Sequence, residues 1–177
     1  MLAVGTTIWL ASELMFFAGL FATYFTLRAN DPTWPASHEK LSTVRDGLFT
    51  VLLVLSSVTM QLAAHALTRG RRAGAVRLIL LSLVLGAVFL ANQGVEWTQL
   101  PFRAQTNAYG SMFYLMTGFH GLHVLFGLVA MIGLLLRIGS GGRGDTGAET
   151  ATEVVTYYWH FVDVVWLGLF ATLFFIR

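Results

Sequence analysis

Five stretches of mostly apolar residues dominate the 177-residue chain, and each is long enough to cross a lipid bilayer, which requires roughly 20 residues. They cover residues 4–28, 47–68, 75–98, 111–137 and 152–176. A backbone inside lipid must satisfy its own hydrogen bonds, so such stretches form α-helices. Charged residues make up only 11% of the chain, too few to cover a water-facing surface. The sequence therefore predicts an all-α integral membrane bundle of five transmembrane helices, forming one domain over residues 1–177.

The distribution of basic residues predicts the orientation of this bundle. Five spans place the two termini on opposite sides of the membrane. A compact group of arginines (Arg69, Arg71, Arg72 and Arg77) surrounds the turn between spans two and three. Cationic residues concentrate on the cytoplasmic side, so we expect a cytoplasmic N-terminus and an external C-terminus. The chain enters its first span almost at Met1, which is consistent with a cytoplasmic leader outside this sequence.

Composition excludes several classes of site. The chain has no cysteine, which rules out disulfides, thiolate metal ligands and iron–sulfur clusters within it. Its formal net charge of +2 is too small to suggest a nucleic-acid partner. Any metal ligands would have to be His, Asp or Glu.

Glu13 is an ionisable residue deep in the first span. It lies nine residues after Val4, roughly 14 Å along a helix. Charge at that depth costs about 2.5–3.5 kcal/mol on insertion scales, and the neighbouring residues of the same helix offer no cation. Two interpretations remain open: a protonated acid that bonds to another helix, or an acid that handles protons or contacts lipid.

Two further polar groups lie in the fourth and fifth spans. His120 and His123 share one face of span four, and His160 and Asp163 are also three residues apart, which predicts a hydrogen-bonded pair. Histidines on two helices can ligate haem, but His65 and His160 are predicted at other depths than the span-four pair. Interhelical hydrogen bonding is therefore favoured, and no catalytic residue or metal site is predicted.

Small residues also recur where helices could approach closely, at Ala18 and Ala22 in span one and at Gly118 and Gly121 in span four. Simple helix packing is the favoured interpretation, with contact to a partner subunit as the alternative. Between the first two spans, Pro32, Trp34 and Pro35 are typical of a turn at the membrane interface.

Three sequence stretches together resemble cytochrome c oxidase subunit III. They read WLASELMFFAGLFATYF (residues 9–25), YGSMFYLMTGFHGLHVLFGL (109–128) and YYWHFVDVVWLGLF (157–170). Their order and spacing are similar to the last five helices of that seven-helix family, and the resemblance covers essentially the whole chain. The first two family helices are absent, as in short bacterial members, which removes one wall of the family's lipid cleft.

This resemblance implies a subunit of a proton-pumping oxidoreductase in a bacterial plasma membrane. The chain itself would carry no redox centre, with haem a and copper held by partner subunits. Subunit I would be the main contact, with subunit II and other respiratory subunits nearby and phospholipid bound. The family role is to support proton uptake and enzyme longevity. Glu13, His120, His123, His160 and Asp163 match the family's intramembrane polar positions and are the candidate proton-supply or lipid-linked residues.

Three alternatives remain at this point. The nearest is the equivalent subunit of a quinol oxidase, a branch that carries Asp where Glu13 stands. A nitric-oxide-reductase accessory protein is more distant. An independent transporter or proton channel belongs to another class and would need a polar path across the bilayer.

Overall fold

The computed structural model describes residues 2–32, 34, 43–140 and 146–176, and all the regular secondary structure within these ranges is helical. Five helices are long and apolar enough to cross a membrane. They are followed by one π-helical turn, and the elements are α1 (Leu2–Asn30), α2 (Thr43–Thr68), α3 (Arg72–Gln99), α4 (Ala108–Ser140), α5 (Thr146–Phe170) and the π-turn Ala171–Phe175. The prediction of an all-α bundle with five spans is confirmed.

Each helix begins before the predicted apolar stretch, by between two and six residues, because polar end residues continue the backbone hydrogen bonds past the apolar window. The largest differences are in the fifth span. It begins at Thr146 instead of residue 152, and its last turn widens into the π-turn, where Ile176 N donates to Ala171 O at 3.0 Å.

A tight turn joins α2 to α3. Gly70 has a φ of +72°, in the left-handed region where a side chain would be strained. Gly70 N donates to Leu67 O, and Arg71 N donates to Ala66 O, both at 2.9 Å. These bonds satisfy the last carbonyls of α2 in the way that glycine-ended helices commonly do. We call the end of the bundle with this turn the inner end, and the opposite end the outer end.

The α2–α3 hairpin is held by hydroxyl groups inside the membrane. The Thr59 and Ser82 hydroxyls lie 2.7 Å apart, and Ser82 also donates to the Ser56 carbonyl at 3.0 Å. Small hydroxyl residues allow two membrane helices to approach closely and to bond across their interface.

Helix α5 is the centre of the bundle, with 56% of its span buried, whereas only 11% of the α1 span is buried. The indole of Trp159 on α5 is completely buried and contacts three other helices. Its Nε1 donates to Ser56 Oγ on α2 at 2.8 Å, and its ring lies between Gly86 on α3 and Gly127 on α4. Helix α1, by contrast, packs mainly on α4 and α5.

The small residues of spans one and four have different surroundings. A Cβ atom on Gly118 would lie 3.4 Å from Trp97, and one on Gly121 would lie 3.5 Å from Leu90, so both glycines serve packing between α4 and α3. The favoured interpretation, simple helix packing, is therefore confirmed for the span-four pair. Ala18 and Ala22 on α1 are exposed.

Aromatic residues gather at the outer end. The Trp34 ring meets Tyr24 and Tyr109 edge-on, with ring centroids 5.1 and 5.3 Å apart. The hydroxyls of Tyr24 and Tyr109 donate to the carbonyls of Thr172 and Leu173 in the π-turn, both at 3.4 Å. These bonds attach the end of α5 to α1 and α4. The ring contacts of Trp34 with the two tyrosines place it at an end of the bundle, as predicted for an interfacial residue.

Candidate functional site

Glu13 and His123 form a hydrogen-bonded pair between α1 and α4. Glu13 Oε2 lies 3.1 Å from His123 Nε2. The other ring nitrogen, His123 Nδ1, lies 2.7 Å from the carbonyl oxygen of Phe119. The two side chains are 26% and 11% exposed, so the pair borders the membrane-facing surface of the bundle.

The hydrogen bonds restrict how protons are arranged on this pair. A carbonyl oxygen only accepts, so His123 Nδ1 carries a proton and donates to Phe119. The Nε2–Oε2 bond then also contains one proton, which resides either on Glu13 or on His123. A neutral acid beside a neutral imidazole and a carboxylate beside an imidazolium have the same total charge, which is zero. Either arrangement of that proton leaves the hydrogen-bonded pair without net charge.

From the sequence, only neighbours on the same helix could be assessed as partners of Glu13, and none of them is a cation. The structure supplies His123 from α4, so the expectation that Glu13 bonds to another helix is confirmed. No local sequence pattern could predict this pairing, because the two residues are 110 positions apart.

A cavity of about 240 Å³ lies beside this pair, between α1, α4 and α5. It is lined by Trp9, Glu13, His123, Phe126, Ala130, Val154, Val155 and Tyr158. The rings of Trp9 and Tyr158 stack with centroids 5.2 Å apart, and the Tyr158 hydroxyl donates to the His123 carbonyl at 2.9 Å. The cavity is thus an apolar recess with one acid and one imidazole in its wall.

His120 has entirely different surroundings from His123, although both are on α4. It is completely buried, with its ring 4.8 Å from Trp166 and 6.0 Å from Phe89, centroid to centroid. Neither of its ring nitrogens has a hydrogen-bond partner among the described residues. His120 is therefore not brought to the Glu13 site.

The predicted His160–Asp163 hydrogen bond is absent from the described residues, because both side chains face α2 instead. His160 Nε2 lies 3.0 Å from the amide oxygen of Gln61. Asp163 lies beside the Ser57 hydroxyl, and its Oδ1 accepts no hydrogen bond from the residues that the structure describes. Gln61 and Ser57 were not predicted as site residues. Their four-residue spacing within an apolar span was the available signal, because it puts two polar groups on one helix face.

A polar cleft of about 350 Å³ lies between α2 and α5 at the inner end. Its lining residues are Gln61, Ala64, His65, Thr68, Glu149, Thr150, Glu153, Thr156 and Tyr157. Gln61 lines this cleft and also bonds to His160, so a hydrogen bond links the cleft to a histidine within the fifth span. Two carboxyl groups and an imidazole at its mouth give it the chemistry to exchange protons with water.

The candidate residues form separate pairs and not one centre. Over residues 2–32, 34, 43–140 and 146–176, no three His, Asp or Glu side chains come close enough to hold a metal ion. What the arrangement offers chemically is proton exchange at Glu13–His123 and at the inner cleft.

Comparison with known proteins agrees with the family resemblance of the sequence motifs. The family described as cytochrome c oxidase subunit III matches residues 1–177. A protein of Nocardia farcinica named probable cytochrome c oxidase subunit 3 is 47% identical over 181 residues, covering 100% of this chain and 89% of that protein. Cytochrome c oxidase subunit 3 of Corynebacterium diphtheriae is 45% identical over 183 residues, with 100% and 89% covered. The protein of the same name from Thermostichus vulcanus is 33% identical over 171 residues, with 97% and 85% covered.

A match over the full length, together with five membrane spans, indicates a multi-pass membrane subunit that works in an oxidoreductase complex with other oxidase subunits. The chain belongs to the cytochrome c oxidase subunit III family.

Proposed function

We propose that this chain is the non-redox accessory subunit of an aa3-type cytochrome c oxidase in the plasma membrane of an aerobic bacterium. In this proposal it packs on subunit I, near subunit II, with its N-terminus in the cytoplasm. Haem a and copper belong to the partner subunits. The chain binds phospholipid, supports proton uptake and prolongs the working life of the enzyme.

The observation that carries this proposal is the Glu13–His123 pair. It is neutral as a unit, so it tolerates the membrane interior, yet it holds a proton that can move between two atoms. A residue that only filled space in an apolar bundle would not need an acid at mid-span, where charge is expensive. A group that exchanges protons without changing its total charge suits a subunit that assists proton supply.

The adjacent cavity supports lipid binding. Six of its eight lining residues are apolar or aromatic, namely Trp9, Phe126, Ala130, Val154, Val155 and Tyr158. A recess of about 240 Å³ with such walls suits a hydrocarbon chain. An acyl chain in this position would keep water from the Glu13–His123 bond.

The inner cleft supports a role in proton uptake. Glu149, Glu153 and His65 line it at the end of the bundle that the arginine distribution predicts to be cytoplasmic. A cleft with two carboxyl groups raises the local concentration of cations, including protons.

The Glu13→Gln variant tests the proposal. The glutamine amide can donate to His123 Nε2, so the helix contact and the assembly of the oxidase should survive. The movable proton is lost, however. We expect weaker turnover at high pH, or faster inactivation during sustained turnover, by a factor of up to about ten, which corresponds to 1.4 kcal/mol. The haem spectrum should be unchanged.

Ser12→Ala is the matched control, because Ser12 is exposed on the same helix and bonds only to the Trp9 carbonyl, at 2.7 Å. It should retain the wild-type pH profile and lifetime. If Glu13→Gln behaves as this control does, Glu13 has a packing role only and the proton-supply part of the proposal fails.

Removal of the histidines tests the assignment of redox centres to other subunits. We expect the oxidase with His120→Phe or His160→Gln to keep its full content of haem and copper, because His120 lies among aromatic rings and His160 bonds to Gln61. Visible spectra and metal analysis of the purified complex measure this. Stoichiometric loss of one haem from a fully assembled variant would contradict the assignment.

An independent transporter or channel is less well supported. The polar residues lie in separate pairs, and His120 and Asp163 are enclosed by packed side chains. Purification of the tagged chain distinguishes the two functions, since an accessory subunit should carry with it a haem- and copper-containing complex.

A further inference from the structure

Two acidic side chains meet inside the bundle at its outer end, far from the Glu13 site. Asp46 lies in the first turn of α2, and Glu96 lies in the last turn of α3. They are only 3% and 4% exposed. Their carboxyl groups are close enough to interact with each other.

Few of the four carboxyl oxygens accept a hydrogen bond from the surrounding residues. Gln93, which is also buried, donates from Nε2 to Glu96 Oε2 at 3.4 Å. Within the part of the chain that the structure describes, Glu96 Oε1 and both oxygens of Asp46 receive no hydrogen bond of ordinary geometry. Asn92 contributes a further amide close to Asp46.

Arg45 is the one cation in contact with the pair among the described residues, and it is only partly engaged. Its Nε lies 3.8 Å from Asp46 Oδ1, beyond hydrogen-bonding distance, while its Nη1 donates to Gln99 Oε1 at 2.6 Å. One guanidinium can balance one carboxylate but not two. Among the other described titratable groups, the Tyr114 hydroxyl on α4 lies close enough to Glu96 to feel its charge, and Arg103 in the α3–α4 connector lies close to Tyr114.

Two adjacent buried carboxylates repel each other, and burial penalises each charge separately. One proton shared between them removes the repulsion and one of the two buried charges. It converts one oxygen into a donor for the facing carboxyl, and it leaves a single negative charge for Arg45 to balance. The alternative, two ionised groups with three unsatisfied oxygens, would leave the desolvation of the second charge uncompensated.

From this geometry we propose that Asp46 and Glu96 form a proton-binding site, in which one proton is shared between the two carboxyl groups and joins the outer ends of α2 and α3. The pair titrates as one unit. Because the folded chain holds a proton that the separated, solvated side chains would release at neutral pH, this junction is stable at neutral pH and weakens as the pH rises.

Infrared spectroscopy of the purified oxidase tests the site. The wild-type complex at pH 7 should show the C=O band of one protonated carboxyl that is missing from Asp46→Asn and also missing from Glu96→Gln. In each variant an amide can donate to the remaining carboxylate, and the balance with Arg45 is kept, so both should assemble. Glu153→Gln, which alters an exposed carboxyl at the inner end, should keep the band.

The pH dependence of thermal stability is the second readout. From about pH 5 up to the pH at which the folded pair itself loses its proton, release of one proton on unfolding makes the wild-type folding equilibrium about tenfold less favourable per pH unit. Either single variant should show a shallower slope than wild type, and Glu153→Gln should not. Loss of the same infrared band from both single variants would support one shared proton.

Two results would overturn the proposal. One is a protonated-carboxyl band that neither Asp46→Asn nor Glu96→Gln removes. The other is a wild-type complex that lacks the band and gains stability on addition of sodium or calcium ions, which would show that the pair holds a metal cation instead.

Discussion

Gly127→Ala is expected to displace the Trp159 indole and to reduce sharply the amount of this chain in the oxidase complex. A Cβ atom at position 127 would lie 2.5 Å from both Cε3 and Cζ3 of Trp159. The ring cannot retreat, because on its other side a Cβ at Gly86 would already be within 2.8 Å. Overpacking of this kind costs typically about 1–3 kcal/mol, and here both walls of the slot are helix backbone. Thermal melting of the complex and recovery of the chain with tagged oxidase measure the loss.

The same helix provides the control for this prediction. A Cβ atom at Gly133 would meet nothing within 4 Å, so Gly133→Ala should be neutral or slightly stabilising. A smaller ring should relieve the clash, so Trp159→Phe combined with Gly127→Ala should be less damaged than the two separate losses added together. Equal melting of Gly127→Ala and Gly133→Ala would show that α4 and α5 can separate freely, contrary to this packing.

His123→Leu is expected to loosen α1 from the rest of the bundle. Glu13 would lose its partner and become an isolated acid in the membrane interior, at a cost of about 2.5–3.5 kcal/mol for a charged group at the centre of a helix. Because α1 is the least buried helix, it has few other contacts to offset that loss. Hydrogen exchange of the purified complex should show faster exchange in α1 than in wild type, with α2 and α3 unchanged.

The double variant Glu13→Leu/His123→Leu separates the two possible causes. It removes the acid together with its partner, so no unsatisfied polar group remains, and much of the protection of α1 should return. If the double variant exchanges as fast as His123→Leu, the unpaired acid is not what loosens the helix.

The fold was largely predictable because the bilayer constrains the length, polarity and secondary structure of each span separately. Each span had to be long, apolar and helical, so the number and order of helices followed from the five apolar stretches. Helix ends were less predictable, since polar residues such as Thr43 and Thr146 extend the helices beyond the apolar windows. The π-turn at the end of α5 had no sequence signal at all.

Contacts between helices were the part that local patterns could not supply. Residues three apart lie on one helix face, but they need not bond to each other. His160 bonds to Gln61 on α2 and Asp163 lies beside Ser57 on α2, while His120 and His123 face different neighbours. The five candidate residues that the motif resemblance selected all lie on the spanning helices, and their roles stay predictions. It could not reveal Asp46, which precedes the second apolar stretch and was therefore assigned to a connector.

The sparse packing of α1 also bears on the order in which the chain assembles during synthesis. A ribosome produces α1 first, yet its main contacts are with α4 and α5, which emerge last. Helices α2 and α3, joined by a short turn and by the Thr59–Ser82 bond, can pair as soon as both are inserted. Helix α1 must therefore wait in the lipid until Trp9 and Glu13 can meet Tyr158 and His123. Contacts between distant parts of a chain form late, so the candidate functional site is completed only when the last helix has entered the membrane.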